Sequence, residues 1–287
     1  MGYLHIDNLY KAQEILEFKT CYALEKIHGT SAHIRWDGER VGFFAGGVSY
    51  DAFVSLFDAT LLTTLFTEHV EGPCIVYGEA YGGKCQGMSK TYGPALRFVA
   101  FDVQINESWL SVPQAYDFAD TLNLEFVDWI SIPATFEYIN MERDRHSTQA
   151  VRNGIVEPRI REGVVLRPPF EVTLNNGKRV IAKHKRVEFS ERRSIPNVDP
   201  TKRAVIENAD AVAVEWVTPM RLMHVLNKLP GEKDARLTGA VIRAMIEDVL
   251  REAAGEISTE RAVERAIGGR AARLYRAWLE SALKEQS

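Results

Sequence analysis

The chain has 287 residues, 46% hydrophobic and 26% charged, with a net charge of −4, a globular balance that excludes a strongly basic bulk nucleic-acid binder and leaves room for one large or two medium domains. No apolar run approaches the roughly 18 residues that cross a bilayer and the opening stretch lacks an apolar signal core, so a cytoplasmic protein without membrane contact is expected. Three cysteines with no Cys-x-x-Cys pair argue against a disulfide framework or a structural zinc site and predict reduced, buried thiols.

Residues 1–20 read as an amphipathic lead-in with Leu9, Ile15, Leu16 and Phe18 as core contacts and no function of their own. Three short strands follow, Cys21–Ile27, Ala32–Trp36 and Val41–Phe44, the last two joined by the hairpin signal Asp37-Gly38. Lys26 falls at the end of the first. An amine half-buried there loses solvation of its ammonium form, which favours the neutral nucleophile; a solvent-facing edge-strand lysine is the alternative. His28, two residues on, either faces the same pocket edge or is structural.

Apolar residues at Phe53, Leu56, Phe57, Leu61 and Leu65 predict one helix from Phe53 to Phe66. The strand Pro73–Ala80 runs into Gly78-Glu79-Ala80-Tyr81-Gly82, where flanking glycines let a ligand approach a carboxylate; a strand-end surface acid is the alternative. In the strand Leu96–Ile105, alternation puts Phe98, Ala100 and Asp102 on one face and Val99, Phe101 and Val103 on the other. An aromatic there is either a base platform or core. A helix is expected over Pro113–Leu122, a strand near Phe126–Ile132, and polar helix from Pro133 to Asn153.

Arg161-Glu162-Gly163-Val164-Val165 is an acid and a glycine leading into an apolar strand, and Val180–Lys185 is a second strand after the turn Asn175-Asn176-Gly177. Lys183 and Lys185, two apart on a strand, point to one side, which costs stability unless an anion lies between them. Between Glu142 and Arg203 fifteen Lys and Arg face eight Asp and Glu, a local excess suited to phosphate contact. Pro196, Asp199 and Pro200 mark a linker, giving domains 1–196 and 201–287. The second is all-helical, with four or five helices; Leu237, Val241, Met245 and Val249 share one helical face, and Leu274, Trp278, Leu279 and Ala282 another.

Lys26-Ile27-His28-Gly29-Thr30, Gly78-Glu79, Phe101-Asp102, Glu162-Gly163 and Lys183-His184-Lys185 stand in an order and spacing that resembles the covalent lysine nucleotidyltransferases, and most closely the RNA ligase 2 family of ATP-dependent polynucleotide ligases found in bacteriophages and RNA-editing systems. The resemblance covers about residues 20–190. It implies an α+β fold, an antiparallel-sheet, ATP-grasp-like nucleotidyltransferase domain followed by a small helical one. It also implies ATP, which leaves AMP as a covalent intermediate, and magnesium or manganese. The implied substrate is RNA with 3′-OH and 5′-phosphate ends, as in a nicked duplex, sealed by a monomer in a phage- or bacterium-like cytoplasm.

By the same resemblance Lys26 takes AMP with His28 assisting, while Glu25 and Ile27 meet the adenine edge through main-chain groups and Phe101 stacks on the base. Glu79 binds ribose, Lys183 and Lys185 hold phosphate, Glu162 and Asp102 lie near the metal, and Gln86 contacts polynucleotide. Two positions depart from the family pattern: Ser31 stands where an asparagine is usual, and Phe43-Phe44-Ala45-Gly46-Gly47 lacks a strand arginine, with Arg35 or Arg40 as substitutes. A DNA ligase or a capping guanylyltransferase shares the core but generally appends a β-barrel. A nucleic-acid-binding module without chemistry is the third reading.

Overall fold

Among the described residues, nine strands in two antiparallel sheets carry the first part of the chain. β1 (Thr20–Lys26), β2 (Thr30–Trp36), β3 (Val41–Phe44), β4 (Cys74–Gly82), β5 (Leu96–Ile105), β6 (Ser108–Trp109), β7 (Trp129–Pro133), β8 (Gly163–Arg167) and β9 (Ala182–Lys185) form one sheet in the order β7-β1-β8-β9 and another in the order β3-β2-β4-β5-β6. The computed structural model describes residues 2–190 and 209–284, and the chain divides into two compact units, 1–186 and 187–287. The linker expected at Pro196–Pro200 lies outside the described residues.

Strand alternation in the four-stranded sheet decides what the site can use. Cys21, Ala23, Val164, Leu166 and Ala182 pack with Leu9, Ile15, Ile132 and Ile139 in a back-face core, so the residues between them face forward. The register sets Leu24 opposite Val165, Lys26 opposite Gly163, Val165 opposite Lys183 and Gly163 opposite Lys185. Lys26, Val165, Lys183 and Lys185 therefore share the front face. The lead-in supplies the back cover and is stitched on by the Leu9 amide, which donates to the Lys183 carbonyl at 2.8 Å.

The five-stranded sheet packs its core side (Ala32, Ile34, Val76, Ala100 and Val103) against α1 (Tyr50–Val54), α2 (Ala59–His69) and α4 (Val112–Thr121), α3 (Ser89–Tyr92) lying between β4 and β5 in sequence. The single helix expected over Phe53–Phe66 is thus two. The first ends at Val54 with Ser55 as its C-cap, and Asp58 starts the second by accepting the Thr60 and Leu61 amides, each at 3.0 Å. The helical stretch before Asn153 is likewise two helices, α5 (Phe136–Arg143) and α6 (Thr148–Arg152). Ser147 caps α6, its hydroxyl accepting the Ala150 amide at 3.0 Å.

One expectation about β5 is corrected. The β4–β5 register jumps from Tyr77↔Asp102 to Gly78↔Ala100, leaving Phe101 as an inserted residue. A β-bulge puts two residues of one strand opposite one of its partner, and Tyr3 accordingly touches both Phe101 and Asp102. Strict alternation had placed those two on opposite faces.

The second unit holds α7 (Ala209–Trp216), α8 (Pro219–Lys228), α9 (Thr238–Glu252) and α10 (Arg261–Lys284) among its described residues. Trp216, Leu222, Val225, Val241, Met245, Val249, Ile267, Ala271 and Tyr275 form its core. Gly268 lets α10 approach α9, since a Cβ there would lie 3.2 Å from Ile242 Cγ2. Cys21 and Cys74 are buried and Cys85 is half-buried, all as free thiols; burial pushes each up to about 12, with Glu79 adding to the rise at Cys85.

Candidate active site

A single carboxylate organises the front of the four-stranded sheet. Glu162, just before β8, has its Oε2 3.1 Å from Lys26 Nζ and 3.2 Å from His28 Nδ1, and its Oε1 2.9 Å from Lys185 Nζ. Burial alone would raise this carboxyl, but Lys185, Lys26 and His28 outweigh it and hold Glu162 well below the usual range. Three strand ends thus converge, with Lys26 and Glu162 lying 136 residues apart in the sequence.

Glycines make the convergence sterically feasible. Gly163 has φ +153°, and a Cβ there would lie 2.2 Å from the His184 carbonyl oxygen, so only glycine lets β9 close on β8 and bring Lys185 to Glu162. Gly29 plays the same part opposite β4: its Cβ would lie 2.3 Å from the Ala80 carbonyl oxygen, and its amide donates to Glu79 Oε1 at 3.0 Å. Burial raises Glu79 to about 7; Lys26 opposes that rise and Glu162 adds to it. Gln86 donates from Nε2 to the Gly29 carbonyl at 3.1 Å, and the Tyr92 hydroxyl accepts the His28 amide at 3.3 Å.

Glu25 points the other way. Its carboxylate accepts from Ser147 Oγ at 2.5 Å and from the Thr148 and Gln149 amides at 2.9 and 3.2 Å, with Arg161 at 3.7 Å. Arg161, fully buried, also meets Glu142 at 2.8 Å and the His146 carbonyl. Burial pushes the Glu25 carboxyl up, against the pull of Arg161 and the hydrogen bonds it accepts. The Glu25 amide is donated to the Asp128 carbonyl at 2.8 Å, so a base can meet only the Glu25 main-chain carbonyl. Ile27 is buried in the core, leaving its main chain as the part a ligand would use.

Asp102 does not join Lys26 and Glu162. It is completely buried, with Arg167 2.9 Å from Oδ1, Arg179 2.7 Å from Oδ2, and the Tyr3 hydroxyl donating to Oδ2 at 2.6 Å. Both lone-pair faces are committed to guanidinium and phenol donors, which excludes the metal-ligand role expected of it. Arg179 also stacks over Trp109, 3.9 Å from the ring centroid, and Glu171 ties Arg167 to Arg179. The basic segment needs a matching correction: Arg161, Arg167 and Arg179 face inward onto acids and are not laid out for phosphate.

Phe101 is half-buried, edge-on to Tyr3 at 4.9 Å. Ser31 lies opposite Glu79 in the β2–β4 register, and its hydroxyl is buried without a hydrogen-bond partner among the described residues. Arg35 is exposed on the strand face that carries Ser31, while Arg40 is exposed in the β2–β3 turn. Sequence reasoning missed Tyr3, Tyr92, Val165 and the buried role of Arg161. Only Arg161 and Val165 carried a signal, as neighbours of Glu162 in one motif.

Glu162 offers oxygen to a hard divalent cation only if a flexible lysine gives way, since Lys26, His28 and Lys185 take both its oxygens and no group of three or more His, Cys, Asp or Glu side chains that could hold a metal stands among the described residues. Glu79, whose charged form burial and Glu162 both disfavour, is a second oxygen donor that a cation would favour.

Two antiparallel sheets that bring a strand lysine, a glutamate and a Lys-x-Lys lysine onto one face define the nucleotidyltransferase fold of RNA ligases. The RNA ligase family model matches residues 19–185, and the chain belongs to that family. Among solved structures, a lysine-to-alanine mutant of the Naegleria gruberi RNA ligase with ATP and Mn is similar with TM-score 0.51 at 14% identity, over 66% of this chain and 57% of that one. A lysine-to-methionine mutant with AMP and Mn gives the same four values. The same ligase with PPi gives 0.50 at 15%, over 66% and 57%. This chain spans little more than half the length of those structures, and the likeness is one of fold. No curated protein matches the chain.

Proposed function

We propose that the protein is an ATP-dependent polynucleotide ligase of the RNA ligase 2 type that seals 3′-OH to 5′-phosphate ends, with a nick in duplex RNA as its substrate. The observation that carries this reading is the convergence of Lys26 and Lys185 on Glu162, at 3.1 and 2.9 Å. In the first step Lys26 Nζ attacks the α-phosphorus of ATP. A P–N bond forms, the bond to the pyrophosphate oxygen breaks, and the amine proton leaves to solvent. AMP then passes to the 5′-phosphate as the P–N bond breaks. Finally the 3′-OH attacks the phosphorus of the 5′-phosphate: the new P–O bond seals the strand, the P–O bond to AMP breaks, and the hydroxyl proton leaves to solvent.

Glu162 orients Lys26 and Lys185 on opposite oxygens, so the nucleophile and a phosphate-holding cation are set by one group. Lys183 shares the face and adds the second cation. Glu79, near 7, meets ribose hydroxyls as either donor or acceptor. Phe101 offers its ring to adenine, with the Glu25 carbonyl and the Ile27 main chain at the base edge, and His28 shares Glu162 Oε2 with Lys26. Glu162, with Glu79 beside it, would hold magnesium or manganese, which when bound offsets charge on the phosphates.

The test is incubation with metal and α-labelled ATP or GTP. A covalent adduct with ATP that Lys26→Ala abolishes is expected. A GTP-specific adduct would instead indicate capping chemistry, and none with either nucleotide a binding module. The adenylated protein should then seal a nick with a 3′-terminal ribose faster than one with a deoxyribose; equal rates would remove the RNA assignment.

A further inference from the structure

The second unit carries a group of cations that its own fold leaves unanswered. In α10 the buried positions Val263, Ile267, Ala271 and Tyr275 fix which face turns inward. The opposite face carries Arg261, Arg265, Arg273 and Arg276, all exposed, with only Ala262, Gly269, Ala272 and Ala277 between them; the first acid on that face is Glu280, one turn beyond Arg276. Glu264, the one acid in that stretch of the helix, lies on the flank beside the core.

None of the four arginines has an ion-pair partner among the described residues, whereas Arg221, Lys228 and Arg251 share Asp248, and Arg236 pairs with Asp234. The arrangement works against the helix. Arg261 and Arg265 are like charges at i,i+4, Arg273 and Arg276 at i,i+3, and Arg261 opens the helix where the macrodipole disfavours a cation. The face is otherwise smooth: the Arg273 guanidinium lies over Gly269, 3.7 Å from where a Cβ would be. Small residues between guanidinium forks let a flat, extended polyanion lie close.

We infer that this outward face of α10 binds the phosphate backbone of the polynucleotide. The proposal rests on the ligase reading for the identity of the polyanion. Guanidinium groups suit phosphate because they donate in a planar, bidentate fork. From Arg265 to Arg276 the helix rises about 16 Å, the length of roughly five phosphates of one strand. Contacts of this kind read no sequence, as expected of a protein that must accept ends in any context.

The test uses the full chain and its R265A/R273A/R276A variant, with a nicked RNA duplex as the probe and no ATP. Alanine is a strong helix former, and circular dichroism checks the fold. Adduct formation with labelled ATP should match the parent. Duplex affinity should fall about tenfold or more at 0.1 M salt, and the slope of log affinity against log salt should drop by about three. R265K/R273K/R276K should keep most of that slope. An unchanged affinity and slope in the alanine variant overturns the proposal, as does an equal loss in the lysine variant, which would trace the effect to the helix and not to its charge. If neither parent nor variant forms an adduct, the ligase reading fails while the salt slope still decides the α10 face.

Discussion

Glu162 is a residue that three nitrogens share, and its depressed carboxyl and the raised carboxyl of Glu79 titrate in opposite directions. For Glu79 the unfolded value is 4.5 and the folded value about 7, so the folded protein holds the extra proton between them. Stability from this group is therefore complete below the unfolded value, falls as pH rises through that window, and is gone above it. Glu79→Gln should gain on the parent by on the order of 2 kcal/mol at pH 8 and by nothing at pH 4, the partial exposure of the side chain keeping the gain below the full shift; denaturant melts at the two pH values check it. Arg161→Met strands Glu25 and Glu142 in the interior and should cost about 3–5 kcal/mol in the same melts. The sequence motifs singled out Lys26, Glu162 and Lys185, which the fold brings together, because each motif is a local pattern of residue types. They could not show that Glu25 turns away to cap α6, since its partners Ser147 and Gln149 lie more than 120 positions off, nor that Asp102 is spent on Arg167 and Arg179.

At the scale of elements, strands were legible wherever alternation or β-branched runs were unbroken, as in β1, β3 and β8. The errors came from polar residues that act as caps. Asp58 splits one predicted helix and Ser147 begins another, each competing for amides that a hydrophobic pattern assigns to a continuous helix. The bulge at Phe101 was invisible for a different reason: an inserted residue changes the register without changing composition. The closest contact between elements gives a direct prediction. Gly163→Ala must push β9 away from β8, because its Cβ would meet the backbone of His184 and Lys185. Lys185 then loses its place on Glu162, and adduct formation should drop about a hundredfold, the scale expected of an ångström-sized misplacement; single-turnover labelling with ATP measures it.

For the molecule as a whole, the apolar clusters are separate, two in the first unit and one in the second, and the composition changes from strand-like to helix-like after Val187. A cavity in the second should leave the chemistry of the first alone. Met245→Ala is expected to cost about 2–5 kcal/mol in the helical unit, read as a lowered unfolding midpoint by tryptophan emission, while the ATP adduct forms as in the parent. The three thiols, each pushed up to about 12, carry a practical consequence. At neutral pH only about one in 10⁵ of each is thiolate, against a few per cent for an ordinary surface cysteine. A maleimide dye offered to a Thr259→Cys chain, exposed just before α10 and off its arginine face, would therefore go almost wholly to that one position, so fluorescence anisotropy could follow the helical unit as it meets a nucleic acid without first stripping the native sulfur atoms from the protein.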